Sequence, residues 1–300
     1  MGKITQKNAI VSKKNVKAQA FGVYQPTMEM PQNGDWKGWV KRICICVPTT
    51  GRVRIEWVMA RFGQIVPCNW SNNDIFQFFD QFSPLGYSVA DARNYCVDYS
   101  IKGNFQWTFF IDHDVVLPAN VYLKLTDIMN MVKIGEDGSE DKSKAIPIFG
   151  GLYYCKGFKP EPLIFRGRGN SYYTDWKRGD LVWCDGLPLG CTLIHNSILR
   201  EVYNMSEQYT IPTLNGPAVV RRVFDTPRHS WSDPESGKYN QKVGTEDLCL
   251  FDRLKEQKIY EKAGWKKYQE MKYPLLCDTS IFCQHIDENG TRYPANVGII

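Results

Sequence analysis

The chain has 300 residues, of which 43% are hydrophobic and 23% are charged, and its net charge is only +5. This composition excludes a globally disordered chain and favours a single elaborated α/β domain over two full domains. No run of about 18 apolar residues is present, so we predict no integral membrane segment.

The N-terminal segment and the cysteines bear on the cellular compartment that the sequence predicts. We predict an irregular, basic N-terminal segment over residues 1–38 and a single domain over residues 39–300. The first 20 residues contain five lysines and no acidic residue; such a tail can attract polyanions, although a solvated terminus explains it equally. No secretory signal precedes the ten cysteines. We therefore expect a cytoplasmic protein whose thiols pack as small hydrophobic groups.

Apolar runs alternate with helical patterns in the first half of the chain. Strands are predicted at residues 43–47, 64–68 and 107–111, and helices at residues 54–62, 89–100 and 121–132. In the first helix, Ile55, Val58, Met59 and Phe62 share one face. This alternation predicts an α/β fold with a mostly parallel central sheet and helices on both of its faces.

The second half is less regular. Strands are predicted at residues 146–154, 181–184, 191–194 and 280–283, and a helix at residues 245–254. Polar composition predicts loops at residues 135–144, 166–180 and 225–244, the last two of them mobile. His195 follows a strand and is expected to be a core or capping residue.

Two polar segments follow predicted strands. Residues 48–50 end the first strand, and residues 112–114 end the strand at 107–111. Ligands of open α/β sheets bind outside the carboxyl ends of the strands, so we expect both segments on one rim. The carboxylates of Asp112 and Asp114 repel each other unless a cation compensates, and oxygen ligands favour Mg²⁺ or Mn²⁺. An acidic turn that only ends a strand would give the same pattern.

The Asp-x-Asp pair belongs to a series of segments, which in chain order are VPTTG (47–51), ARN (92–94), FIDHDVVLP (110–118), VWCDG with GCTLI (182–194), GTEDL (244–248) and DTSIFCQH (278–285). This series resembles the motifs of glycosyltransferases of the GT-A fold, in particular glycosyltransferase family 2. Together the segments span roughly residues 40–290. Each segment is weakly specific alone, and their order makes the resemblance more specific.

The resemblance implies a GT-A fold, with a Rossmann-like nucleotide-binding half and an acceptor-binding half. It implies a UDP- or GDP-sugar donor and a bound Mn²⁺ or Mg²⁺. Donor contacts are implied for Pro48, Thr49, Thr50, Arg93, Asp112 and His113. Metal ligation is implied for Asp114 and His285, with Asp112 facing the ribose or reaching the metal through water. Acceptor contacts are implied for Asp185, Gly190 and Glu246, with Asp247 as the general base of an inverting reaction.

Several alternatives stay open at the level of sequence. Acidic residues are ordinary at the start of a helix, which would explain Glu246 and Asp247 without catalysis. A retaining transferase would use the same pair to bind the acceptor. His113, between the two aspartates, is expected to point away from them, and Arg93 and Asn94 could form a helix-surface pair. A nucleic-acid-binding protein, or a transferase acting on a modified DNA base, is a further alternative. The acceptor is unidentified: a glycan, a small molecule, a protein or modified DNA.

Overall fold

The computed structural model describes residues 41–68, 70–71, 77–135, 139–167, 172–226, 228–232, 239–243 and 245–295. The predicted N-terminal segment, residues 1–38, lies outside the described residues. The strands are β1 Lys41–Cys46, β2 Trp70–Ser71, β3 Gln77–Phe82, β4 Trp107–Ile111, β5 Val115–Val116, β6 Lys133–Ile134, β7 Glu140–Asp141, β8 Ile148–Leu152, β9 Leu181–Cys184, β10 Cys191–His195, β11 Gln208–Ile211, β12 Ala218–Arg221, β13 Arg228–Ser232, β14 Tyr239–Val243, β15 Leu275–Phe282, β16 Gln284–Ile286 and β17 Arg292–Tyr293. The helices are α1 Ile55–Phe62, α2 Val89–Lys102, α3 Val121–Met129, α4 Asn196–Met205, α5 Glu246–Glu256, α6 Ile259–Lys262 and α7 Lys266–Glu270.

The fold is mixed α/β around one eight-stranded sheet, with the strand order β2-β3-β1-β4-β10-β8-β15-β9. The pairings β2–β3, β3–β1, β1–β4 and β8–β15 are parallel. Strands β10 and β9 pair antiparallel with their neighbours. The predicted mostly parallel sheet is therefore confirmed, with two strands running against the others.

Helices cover both faces of this sheet. Side chains alternate between the faces along a strand, so Thr108 and Phe109 of β4 point to opposite sides. Thr108 shares a hydrogen bond of 2.7 Å with Ser100 of α2. The Phe109 ring packs edge-on against Tyr122 of α3, with 6.4 Å between centroids. Helices α2 and α3 consequently lie on opposite faces, as the alternating pattern predicts.

The strand order also fixes where a ligand cleft can form. From β1 the chain passes to β3 on one side and then to β4 on the other side of β1. Such a reversal leaves a crevice at the carboxyl ends of the two central strands, because the connections leave in opposite directions. The segments that follow β1 and β4 are those that the sequence singles out.

Three predicted segments differ in type from what the structure shows. Residues 64–68 form no strand, because the Gln64 amide bonds to the carbonyls of Ala60 and Pro118, and Ile65 N–H bonds to Ala119. Residues 225–244 are predicted as a loop, yet β13 and β14 pair there as an antiparallel hairpin. A hairpin ladder uses main-chain groups, so a polar sequence does not prevent it. The polar segment 135–144 likewise contributes to the short hairpin β6–β7.

The boundaries of several other elements differ from the prediction by a few residues, and α3 and β15 are examples. Helix α3 ends at Met129, three residues before the predicted end. Strand β15 begins at Leu275, five residues before the predicted start. The predicted loop 166–180 is described over 166–167 and 172–180, where Trp176 packs against the core.

Helix α1 is oriented differently from what its apolar pattern suggests. Ile55, Met59 and Phe62 are 65–69% exposed, whereas Trp57 and Arg61 are buried. The Trp57 indole donates a hydrogen bond of 2.9 Å to the Asp112 carbonyl. The face of α1 that carries Trp57 and Arg61 therefore packs against the sheet, and the predicted apolar face is largely exposed.

The cysteines pack as the sequence predicts. Seven of the ten are buried: Cys44, Cys46, Cys96, Cys184, Cys191, Cys277 and Cys283. Burial raises the pKa of the Cys184 and Cys277 thiols, which keeps them protonated.

Within the described part of the chain, no helix is long and apolar enough to cross a membrane.

Candidate functional site

A cleft of about 500 Å³ opens at the carboxyl ends of β1 and β4. Ten of the residues predicted for the site line it, and they come from five separate segments of the chain. They are Pro48, Thr49, Thr50, Arg93, Asp112, His113, Asp114, Glu246, Asp247 and His285. The predicted common rim is therefore present and includes the start of α5.

Arg93 joins two acidic residues of the cleft. Its side chain projects from α2 and is only 3% exposed. One guanidinium nitrogen donates to both carboxylate oxygens of Asp112, at 3.0 and 3.2 Å, and the other donates to Glu246. Burial by itself lowers the pKa of Arg93, but these carboxylates outweigh it and raise the pKa above its ordinary value. Arg93 therefore stays charged and links the rim of β4 to α5.

The same arrangement affects Glu246. Burial raises the pKa of the Glu246 carboxyl, and the Arg93 guanidinium opposes that shift.

The alternative that Arg93 and Asn94 form a helix-surface pair is wrong, because both are buried. The Asn94 amide bonds to the Phe224 backbone, with its oxygen accepting at 2.7 Å and its nitrogen donating at 2.9 Å.

Asp112 is held from behind by the main chain. Its N–H donates to the Gly190 carbonyl at 3.2 Å, and its own carbonyl accepts from Trp57. Gly190 N–H donates to the Tyr153 hydroxyl at 2.9 Å, and a Cβ at Gly190 would overlap that hydroxyl. Glycine is thus required at position 190 by close packing behind the Asp-x-Asp turn.

Strand pairing brings Asp114 next to His285. Strand β16 pairs antiparallel with β5, and His285 lies opposite Val115, the residue after Asp114. His285 Nε2 lies 3.3 Å from Asp114 Oδ2, and Lys156 donates a hydrogen bond to the same oxygen. Burial alone would raise the pKa of Asp114, but His285 and Lys156 together hold it below its ordinary value. Its ion pairs thus stabilise the fold above the ordinary carboxylate pKa and are lost as the pH falls.

The second ring nitrogen of His285 is fixed by the backbone. Nδ1 lies 2.9 Å from the Tyr154 carbonyl oxygen, which can only accept, so Nδ1 carries a proton. Nε2 is then the ring nitrogen that faces Asp114 and the cleft. A histidine that donates one N–H to a carbonyl and offers the other nitrogen is typical of metal ligands.

Asp114 and His285 fit a divalent ion, whereas Asp112 is held elsewhere. Its carboxylate faces Arg93 and does not join the other two. Among the described residues, no group of three or more His, Cys, Asp or Glu could hold a metal ion. Mg²⁺ and Mn²⁺ sites that act on phosphates need only one or two protein ligands, because the substrate phosphates and water complete the shell.

The start of α5 places two carboxylates at the cleft, and they differ in their hydrogen-bond partners. Glu246 Oε1 is bound by Arg93. Asp247 Oδ1 accepts from the Thr245 hydroxyl and from Leu248 N–H at 2.8 Å. No described residue donates a hydrogen bond to Asp247 Oδ2. Asp247 therefore has one oxygen anchored and one available to a ligand in the cleft.

His113 lines the cleft together with Asp112 and Asp114. Its Nε2 is 3.5 Å from the Thr50 hydroxyl, so the segments after β1 and β4 touch at the rim. The Thr49 hydroxyl accepts from Gly51 N–H at 3.0 Å, which closes the turn after β1. Gly51 has a φ of +86°, a left-handed conformation that glycine adopts readily.

Two predicted acceptor residues do not line the cleft. Asp185 accepts a hydrogen bond of 2.9 Å from Gly167 N–H, and Gly190 lies behind the Asp112 turn. Sequence reasoning missed several residues that do line the cleft, most of them apolar or aromatic: Tyr87, Val89, Tyr153, Leu163, Phe165, Tyr172, Pro188 and Leu248. Their sequence gives no signal, because aromatic residues are equally common in cores.

His195 lies away from the cleft. His195 is buried, and its side chain caps α4 by accepting from Ser197 N–H, as predicted. Burial lowers the pKa of His195, while Glu140 at 3.3 Å opposes that shift.

Comparisons with known proteins do not assign a family. No known protein-family profile matches the chain, and no curated protein matches it. Among solved structures, the crystal structure of A197 from STIV is 14% identical and has a TM-score of 0.45, with 85% of this chain and 92% of that chain covered. A likeness at this level indicates neither family nor activity.

Proposed function

We propose that this protein is a metal-dependent glycosyltransferase of the GT-A fold that transfers a sugar from a UDP- or GDP-sugar to an acceptor. One observation carries the proposal. Five segments that resemble glycosyltransferase motifs meet in one cleft, although up to about 240 residues of chain separate them. An acidic turn or a helix start taken alone would not require the other segments to be near it.

The donor half of the proposed site is the rim after β1 and β4. Residues 48–50, His113 and Asp112 line the side where a nucleotide would lie. Asp112, held by Arg93, offers oxygens that suit ribose hydroxyls. Asp114 and His285 would hold the Mn²⁺ or Mg²⁺. Such an ion, when bound, supplies charge neutralisation for the nucleoside diphosphate leaving group.

The acceptor half is the start of α5. An attacking hydroxyl must lose a proton, and a carboxylate within hydrogen-bond reach can accept it. Asp247 Oδ2 is available for this, whereas Glu246 is engaged by Arg93. We therefore assign the general base to Asp247 and the positioning of the acceptor side to Glu246. The deprotonated acceptor oxygen then attacks the anomeric carbon in line with the departing nucleoside diphosphate, which inverts the anomeric configuration.

The proposal predicts metal-dependent binding of a diphosphate nucleotide. A panel of UDP- and GDP-sugars is tested by thermal unfolding, with Mn²⁺ and with a chelator. A ligand at about 100 times its Kd stabilises the fold by about 2.7 kcal/mol, which raises Tm by several degrees. UMP and GMP are the matched controls, and they should stabilise less because they lack the second phosphate. Failure of every UDP- and GDP-sugar to raise Tm with Mn²⁺ would contradict the proposal.

A further inference from the structure

Lys156 has no part in the reaction as proposed, yet it reaches a residue of the cleft. It lies four residues after the end of β8, and its side chain is 36% exposed. Its ammonium group donates to Asp114 Oδ2, the same oxygen that His285 Nε2 approaches to 3.3 Å. One carboxylate oxygen therefore has two nitrogen neighbours.

These neighbours are chemically different. His285 is held in place by its Nδ1, which donates to the Tyr154 carbonyl, so its position beside Asp114 is fixed by the backbone. The Lys156 ammonium group ends a flexible side chain and can only donate. Lys156 is the cation that the structure places there. Its ammonium group thus compensates the charge at the position where a divalent ion would be held.

We infer that Lys156 exchanges partners, binding Asp114 in the metal-free cleft and the donor diphosphate in the loaded cleft. The inference rests on the proposed function. A divalent ion on Asp114 and His285 would repel the ammonium group, since both cations compete for the same oxygen. The freed lysine would remain at the metal side of the cleft. The diphosphate brings new negative oxygens there, and charge-assisted hydrogen bonds to phosphate are strong.

The exchange has two consequences of opposite sign. Removal of the ammonium group eliminates a competitor for Asp114, so Mn²⁺ alone should bind more tightly. The same removal takes a hydrogen bond from the diphosphate, so nucleotide should bind more weakly once Mn²⁺ is present. A lysine with a merely structural role would not shift the two affinities in opposite directions.

The test compares Lys156→Met with Lys159→Met, which removes the same charge from an exposed position in the same loop. Electron paramagnetic resonance measures Mn²⁺ affinity without nucleotide. Titration calorimetry measures UDP and GDP affinity at saturating Mn²⁺. In Lys156→Met we expect about tenfold tighter Mn²⁺ binding and about tenfold weaker nucleotide binding, the effect of one hydrogen bond to a charged group. Lys159→Met and the charge-conserving Lys156→Arg should stay near wild type.

The possible failures are distinguishable. If wild type binds Mn²⁺ and Lys156→Met binds it equally or more weakly, the exchange is overturned while the metal site stands. If UDP and GDP bind equally to both proteins, Lys156 is not a diphosphate ligand and the exchange is again overturned. If neither protein binds Mn²⁺, both the exchange and the metal-dependent function are overturned. Thermal unfolding of each variant shows whether it is folded.

Discussion

Asp247→Asn is expected to slow sugar transfer by about 10²–10⁴-fold, the usual cost of removing a general base. The substitution keeps the oxygen that accepts from Thr245 and Leu248, so the start of α5 should remain intact. Nucleotide-sugar affinity should barely change, because the donor contacts lie on the rim of β1 and β4. Turnover with the donor found by the thermal screen, together with donor affinity by calorimetry, measures both effects.

Two further variants make the Asp247 result specific. Glu256→Gln removes the same charge at the other end of α5 and should leave turnover unchanged. Glu246→Gln removes the partner of Arg93 and should lower stability as well as activity, because it leaves a buried guanidinium with one carboxylate fewer. If Asp247→Asn turns over as fast as wild type, Glu246 and Asp247 serve only to stabilise the start of α5 through the helix dipole. If Asp247→Asn is inactive but the wild-type reaction retains the anomeric configuration of the donor, Asp247 binds the acceptor and is not a general base.

Asp114→Asn is expected to reduce turnover by at least about a hundredfold. Metal-assisted charge stabilisation contributes several kcal/mol, and each 1.36 kcal/mol corresponds to tenfold in rate. The amide preserves the side-chain size but loses the charge that attracts a cation. Nucleotide binding should also lose its dependence on Mn²⁺. Thermal shifts with and without Mn²⁺, and turnover at saturating donor, measure these changes.

The matched control for Asp114→Asn is Asp127→Asn, an exposed aspartate on α3. It removes the same charge outside the cleft and should behave as wild type. Circular dichroism establishes that both variants fold. Metal-dependent nucleotide binding that survives in Asp114→Asn would remove this residue from the metal site.

The parts of the site that follow strands could be predicted from the sequence. Five buried residues of β4, four of them apolar, run directly into Asp112, and β1 is followed by a Pro-Thr-Thr turn, so the pattern locates both ends. Parallel pairing of β1 with β4 then brings the two ends together. The start of α5 is similarly visible, because Thr245, Glu246 and Asp247 precede a helical pattern.

The contacts between distant segments could not be predicted. Arg93 and Glu246 are 153 residues apart, and nothing local to either indicates the ion pair. Lys156 has no motif around it, and its contact with Asp114 depends on where the loop after β8 passes. Likewise, the apolar pattern of α1 does not predict that Trp57 is buried. Its burial accompanies a hydrogen bond to the carbonyl of Asp112, a residue that is distant in sequence.

The central claim is that this cleft breaks the bond between a sugar and a nucleoside diphosphate. The most direct measurement is NMR of the wild-type chain with the UDP- or GDP-sugar that stabilises it, with Mn²⁺ and without an acceptor, so that water attacks slowly. We predict release of the nucleoside diphosphate in the ³¹P spectrum and a sugar whose first-formed anomer is inverted in the ¹H spectrum, both abolished by chelator and by Asp114→Asn. Intact donor after prolonged incubation of folded protein with every UDP- and GDP-sugar, or cleavage that persists in chelator, would contradict the account.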